Sequence, residues 1–215
     1  MTNSAIPAYE GILYTIFQGL RHETRLELAS NGVRENAGLA VAFTSANSGE
    51  GVTHTIQSLL AGLARDGMTR ALVADSACLR SLTIEPSEVK HLCRTLNLAG
   101  ESNVYGLADS NEFSDGASGP HSWDGSWEYR RDVLHELRGI FDYVLIDCPA
   151  LRVANDILSV APFVTGVILV VEANRTRRDQ VIQATRSIEF ARGRLLGHIL
   201  NKRRYVVPEW LYRRL

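Results

Sequence analysis

The segment Thr44–Thr53, TSANSGEGVT, holds the residues best suited to chemistry. Gly49 and Gly51 let successive backbone N–H groups face one point and form an anion nest. A helix starting there adds the positive end of its dipole. Thr53 stands where such loops carry a magnesium-binding hydroxyl. Asp75 and Asp147, far along the chain, each close an apolar run, and magnesium favours a few carboxylates with several waters. The pattern G-x-x-x-x-G-K-[ST] is met only in part. Ala46 replaces its first glycine, and Val52 replaces the lysine that reaches the β- and γ-phosphates. The chain has two lysines, Lys90 and Lys202, which are 38 and 150 residues beyond Val52, so no sequence neighbour substitutes. His54 is adjacent, but its side chain leaves a helix in another direction.

One hydrogen bond to a charged group is worth about 1.5–3 kcal/mol, so its loss weakens binding roughly ten- to a hundredfold. A donor that stabilises transition-state charge is worth about 2.7–4 kcal/mol, or about 10²–10³ in rate. Binding thus survives the missing lysine better than phosphoryl transfer does.

These residues need elements to bring them together. Residues 6–28 carry apolar side chains at helical spacing, which predicts an N-terminal helix within residues 1–30. Leu39–Ser45 reads as a strand, Thr53–Arg65 as a helix, and Arg70–Asp75 as a second strand. Residues 99–128 are poor in apolar side chains and read as a mobile loop region, which Trp123 and Trp127 pin to the core. A helix over Glu128–Arg138 follows, then a strand over Phe141–Asp147. Val164–Val171 is apolar enough for a strand buried on both faces. A helix over Arg177–Arg192 and a strand over Leu195–Asn201 complete the domain, and residues 202–215 form a basic, aromatic tail. Alternating strands and helices predict one doubly wound α/β domain with a mostly parallel sheet flanked by helices, over residues 1–215. Ligands in such folds bind beyond the carboxyl ends of the strands. The Thr44–Thr53 loop, Asp75, Asp147 and Asn201 all lie at such ends and are expected to converge.

Composition bounds the remaining choices. With 215 residues, 45% hydrophobic and 22% charged, the chain is neither disordered nor fibrous. Its three cysteines, Cys78, Cys93 and Cys148, are widely spaced and form no CxxC pair, which argues against zinc and disulfides and fits a reducing cytoplasm. No apolar stretch is long enough to span a bilayer. The net charge of -1 conceals a basic end: Arg175–Leu215 holds eleven basic and three acidic side chains. A basic tail is weak grounds for nucleic-acid binding. It suits equally an acidic partner, an anionic membrane surface, or a cover for the edge of the domain.

From about Val41 to Asn201 the chain resembles the bacterial tyrosine kinase (BY-kinase) domains of exopolysaccharide and capsule assembly, relatives of the ParA/MinD ATPases. Phe43–Gly51 with Thr53 matches the family's Walker A loop. Leu72–Asp75 with Leu79 and Arg80 matches its second aspartate motif, and Phe141–Pro149 its Walker B strand. Asp156, Val167–Val171, Thr176–Asp179 and Leu196–Asn201 complete the resemblance. It implies a P-loop fold, bound ATP or ADP with magnesium, a cytoplasmic domain held at the inner membrane by a partner, and a homo-oligomer. That partner is a membrane-bound polysaccharide chain-length regulator or co-polymerase. It also implies Ser48, Gly49, Glu50, Gly51, Val52, Thr53 and His54 as the nucleotide loop and Asn201 as the adenine contact. Magnesium falls to Thr53, Asp75 and Asp147, with the two aspartates catalytic if the domain is active.

Four departures point one way. Val52 replaces the loop lysine, and Ala77 replaces the second aspartate of a D-x-D motif. Leu13 and Ile16 replace the arginines of an E-x-x-R-x-x-R assembly motif that would begin at Glu10. The C-terminal tyrosine cluster is reduced to Tyr205 and Tyr212, the candidate phosphoacceptors. The expectation is a degenerate kinase-like protein with weak or absent ATP binding that acts as a regulatory or binding partner. An active ATP-dependent autokinase or ATPase is the first alternative. A ParA/MinD-type switch ATPase is the second, although Ala46 and Asn47 occupy the place of its signature lysine.

Overall fold

The computed structural model describes Gly19 and residues 38–65, 69–82, 85–98, 101–107 and 127–203. The expected N-terminal helix, the segment 108–126 with Trp123, and the tail with Tyr205, Trp210 and Tyr212 lie outside the described residues.

Among the described residues seven strands form: β1 (Leu39–Ser45), β2 (Ala71–Asp75), β3 (Cys93–Leu98), β4 (Glu101–Leu107), β5 (Tyr143–Asp147), β6 (Gly166–Glu172) and β7 (Leu195–Asn201). They form one sheet in the order β3-β4-β2-β5-β1-β6-β7. Every pairing is parallel except β3 with β4. The helices are α1 (Val52–Ala64), α2 (Ser76–Ser81), α3 (Trp127–Ile140), α4 (Asp156–Val160) and α5 (Arg178–Phe190). Every residue of β1 is buried, as its unbroken apolar run requires when both sheet faces are covered.

Alternation along β1 separates two cores. Leu39, Val41 and Phe43 pack with Ile56, Leu59 and Leu63 of α1. Ala40 and Ala42 join the opposite core with Val133, Leu134 and Leu137 of α3, Ile157 of α4 and Ile188 of α5. Because β5, β1 and β6 are neighbours in register, the loops after β1, β5 and β2 emerge at one edge. Thus the doubly wound α/β reading holds.

One expectation is corrected. Residues 99–128 were assigned to a loop, yet Glu101–Leu107 is β4, paired with β2 on one side and β3 on the other. Only Val104 of its described side chains is fully buried, so the strand lacks the apolar run that marks its neighbours. Pairing on both sides supplies the backbone bonds, and Asn103 Nδ2 ties it to the Thr69 carbonyl at 2.8 Å. The strand β3 was likewise not foreseen, since Cys93–Leu98 alternates only weakly.

Candidate phosphate-binding site

The loop between β1 and α1 has the backbone its two glycines predict. Gly49 and Gly51 have φ of 81° and 94°, in the left-handed region. At Gly51 a second constraint applies: a Cβ there would lie 2.2 Å from Asn201 Nδ2. Gly51 is the N-cap of α1, with no side chain capping the helix and no acidic residue in its first turn. The N–H groups of that turn therefore lack intrahelical partners and keep their affinity for an anion.

Glu50 holds the loop from within. It is 2% exposed, and its carboxylate accepts from Ala46 N–H at 3.0 Å and from Asn47 Nδ2 at 2.9 Å. The Thr176 hydroxyl, between β6 and α5, donates a further, short bond to it. Its side chain is thus committed to the loop. Asn201, at the end of β7, donates from Nδ2 to the Glu50 carbonyl at 2.9 Å and accepts from Lys202 N–H at 2.8 Å.

The acidic residues occupy the ends of β5, which pairs with β1, and of β2, the next strand beyond it. Thr53 Oγ1 donates to Asp147 Oδ2 at 2.6 Å. Asp75 and Asp147 are register partners across β2 and β5. Burial raises the pKa of Asp147, the Thr53 hydroxyl lowers it, and the Asp75 charge raises it further. Asp75 Oδ1 accepts from Ala77 N–H at 2.6 Å and so caps α2. Further along, Asp156 joins Arg80 at 2.6 Å and Ser76 Oγ at 3.1 Å.

Of the expected site residues, Gly49 to Thr53, Asp75, Asp147 and Asn201 are brought to one edge. Ser48 and His54 are exposed, on the loop and on the first turn of α1. Val52 is 9% exposed and packs in the α1 core, so the position of the loop lysine carries an apolar side chain facing inward. Among the described residues no cluster of three metal-ligating side chains exists, and none is a helix long and apolar enough to cross a membrane. Two carboxylates and one hydroxyl are a hard-oxygen donor set that fits magnesium completed by waters and phosphate oxygens.

Lys202, not expected at this edge from the sequence, also reaches the loop. Its ammonium donates a short bond to the Gly49 carbonyl and lies 3.3 Å from Glu172 Oε2, at the end of β6. The signal was the place of Asn201: whatever follows the last strand emerges beside the loop. A cavity of about 450 Å³ adjoins the loop at Ala46, with Arg152, Asn155, Arg177 and Gln180 in its wall. A larger one, about 560 Å³, lies along α5 and does not touch the loop.

No protein-family model matches the chain. In solved structures the chain is similar to the kinase domain of the Escherichia coli tyrosine kinase ETK, with TM-score 0.59, 19% identity, and 86% and 75% of the two chains covered. It is similar to the VpsO kinase domain, with TM-score 0.58, 23% identity and 89% and 96% coverage. The cell division protein MinD of Aquifex aeolicus aligns with TM-score 0.55, 13% identity and 82% and 73% coverage. These likenesses define the fold: an α/β domain with a mostly parallel sheet flanked by helices, like that of MinD and of these kinase domains. Among curated proteins it is similar to the tyrosine-protein kinase CpsD of Streptococcus agalactiae, 28% identical over 200 residues, 85% of this chain and 86% of that one. CpsD of Streptococcus pneumoniae serotype 4 is 26% identical over 171 residues, 75% of each chain. Over most of its length the chain is thus similar to tyrosine-protein kinases of the CpsD type.

Proposed function

We propose that this chain is a kinase-like protein of capsule or exopolysaccharide assembly that binds a nucleotide weakly and transfers its phosphoryl group slowly or not at all. Its role is that of a regulatory or binding partner to a membrane-bound polysaccharide chain-length regulator, at the cytoplasmic face of the membrane and with homo-oligomers as its working form. The observation that carries the reading is Val52, turned into the core at the position from which a lysine would reach the β- and γ-phosphates. Ala77 and the use of Asp75 as a helix cap support it, since Asp147, which accepts from Thr53, is then the one carboxylate on the acidic side not committed to a helix cap.

ATP or ADP fits the loop through the uncapped N-terminus of α1 and the backbone of Ser48 to Thr53. Magnesium would be held by Thr53 and Asp147, with Asp75 through water. When bound, it neutralises phosphate charge and orients the γ-phosphoryl group. Asn201, which bonds the Glu50 carbonyl at the edge of the loop, is the proposed base contact. Phosphoryl transfer lacks the donor worth about 10²–10³ in rate. The test is incubation with γ-labelled ATP and magnesium. Label is expected to stay off Tyr205 and Tyr212. Labelling that Asp147→Ala abolishes would establish an active autokinase instead, and ATP-dependent dimerisation with hydrolysis would establish a switch ATPase.

A further inference from the structure

The phosphate loop has a cation of its own, contributed from the far end of the domain. Lys202 follows β7, 150 residues beyond Val52, and has φ of 55°, a left-handed backbone that a non-glycine residue seldom adopts. That turn sends the side chain back over the loop. Its Cε lies 3.8 Å from the position of a Cβ on Gly51, and its Nζ bonds the Gly49 carbonyl. Asn201 anchors the base of the turn by bonding both the Lys202 N–H and the Glu50 carbonyl.

Charge and donor count favour a ligand-binding role over a purely structural one. An ammonium has three N–H donors. Gly49 O and Glu172 Oε2 take two, and the third has no bonded partner among the described residues. Glu172 is shared with Arg175 Nη1 at 3.2 Å, so its charge does not cancel that of Lys202. The Lys202 side chain is 45% exposed at the end of a four-carbon stem. Around the loop stand Glu50, Asp75, Asp147 and Glu172, whose negative field opposes an incoming phosphate.

We propose that Lys202 offsets in part the lysine absent at Val52, holding Gly49 in place and offering its remaining N–H to an oxyanion of a bound nucleoside di- or triphosphate. This rests on the reading that the loop takes a nucleotide.

The experiment is calorimetric titration of the full chain with ATP, ADP and adenosine, in magnesium, at two salt concentrations. The proteins are wild type, Lys202→Met, Lys202→Arg and the pair Arg152→Ala with Arg177→Ala, each checked for folding by circular dichroism. Lys202→Met keeps the stem without the charge. It is expected to weaken ATP and ADP about ten- to thirtyfold, leave adenosine unchanged and flatten the salt dependence, while Lys202→Arg retains most of the affinity. A purely structural role would weaken adenosine as well and leave the salt dependence as it was, which overturns the proposal. Unchanged ATP affinity in Lys202→Met also overturns it, as does loss confined to the Arg152/Arg177 variant, which would put the cation in the adjoining cavity. Wild type that binds none of the three ligands overturns the nucleotide reading itself, and the proposal with it.

Discussion

The turn after β1 and the turn after β2 flank the same strand, β5, yet they are built to different standards. The first is held from three sides: Glu50 from within, Thr176 from β6, and Asn201 with Lys202 from β7. Its two left-handed glycines shape a concave backbone that ends on an uncapped helix. The second turn has one feature, Asp75, and its carboxylate caps a six-residue helix. The first arrangement leaves backbone donors free for an anion, and the second satisfies its donors internally. On the reading proposed above, the difference separates what binding requires from what transfer requires.

The comparison breaks most visibly at Gly51. Gly51→Ala meets both a left-handed φ and an overlap with Asn201, and is expected to cost at least about 2 kcal/mol, a fall of roughly 4–8 °C in Tm. Gly49→Ala has open space around its Cβ and bears the backbone strain alone. It is expected to cost about 1 kcal/mol, measurable as a smaller shift in urea midpoint. Equal losses at the two glycines would mean that Asn201 does not brace the loop.

The two aspartates sharpen the contrast because their removal acts in opposite directions. Asp75→Ala deletes a helix cap and is expected to lower stability by about 1 kcal/mol. Asp147 has a raised pKa, chiefly because it is buried. Its ionised form is therefore disfavoured in the folded state, a cost present above its folded pKa and absent once pH falls below the ordinary carboxylate value. Asp147→Asn keeps an acceptor for Thr53 and removes the charge. Its Tm is expected to rise at pH 7, and the gain is expected to vanish near pH 3. A gain that persists in acid would point to packing instead of charge.

Much of this edge was legible from residue types. Glycine at 49 and 51 demands a special backbone, and an apolar run that ends in a carboxylate places that carboxylate at the end of a buried strand. The runs at β1, β5 and β6 are near-continuous because both their faces are covered, so their positions and the fold class followed. The strand β4 was not legible, because ESNVYGL has neither an apolar run nor clear alternation, and its pairing with β2 and β3 is a tertiary fact. Val52 was legible as a departure, but not its burial in the α1 core. Lys202 was hidden by chain distance: the residues that bring it to Gly49 are those that set β7 beside β6. The burial of Glu50 was hidden for a similar reason, since its partner Thr176 lies 126 residues away.

The central claim is that the loop retains its geometry and that the charge absent at Val52 limits it. The most direct measurement is ATP affinity, with and without magnesium, for wild type beside Val52→Lys. The account predicts magnesium-dependent binding in both, roughly ten- to a hundredfold tighter in the variant, the worth of one hydrogen bond to a charged group. If wild type binds no nucleotide and Val52→Lys restores none, the backbone of the loop is at fault and the claim is wrong.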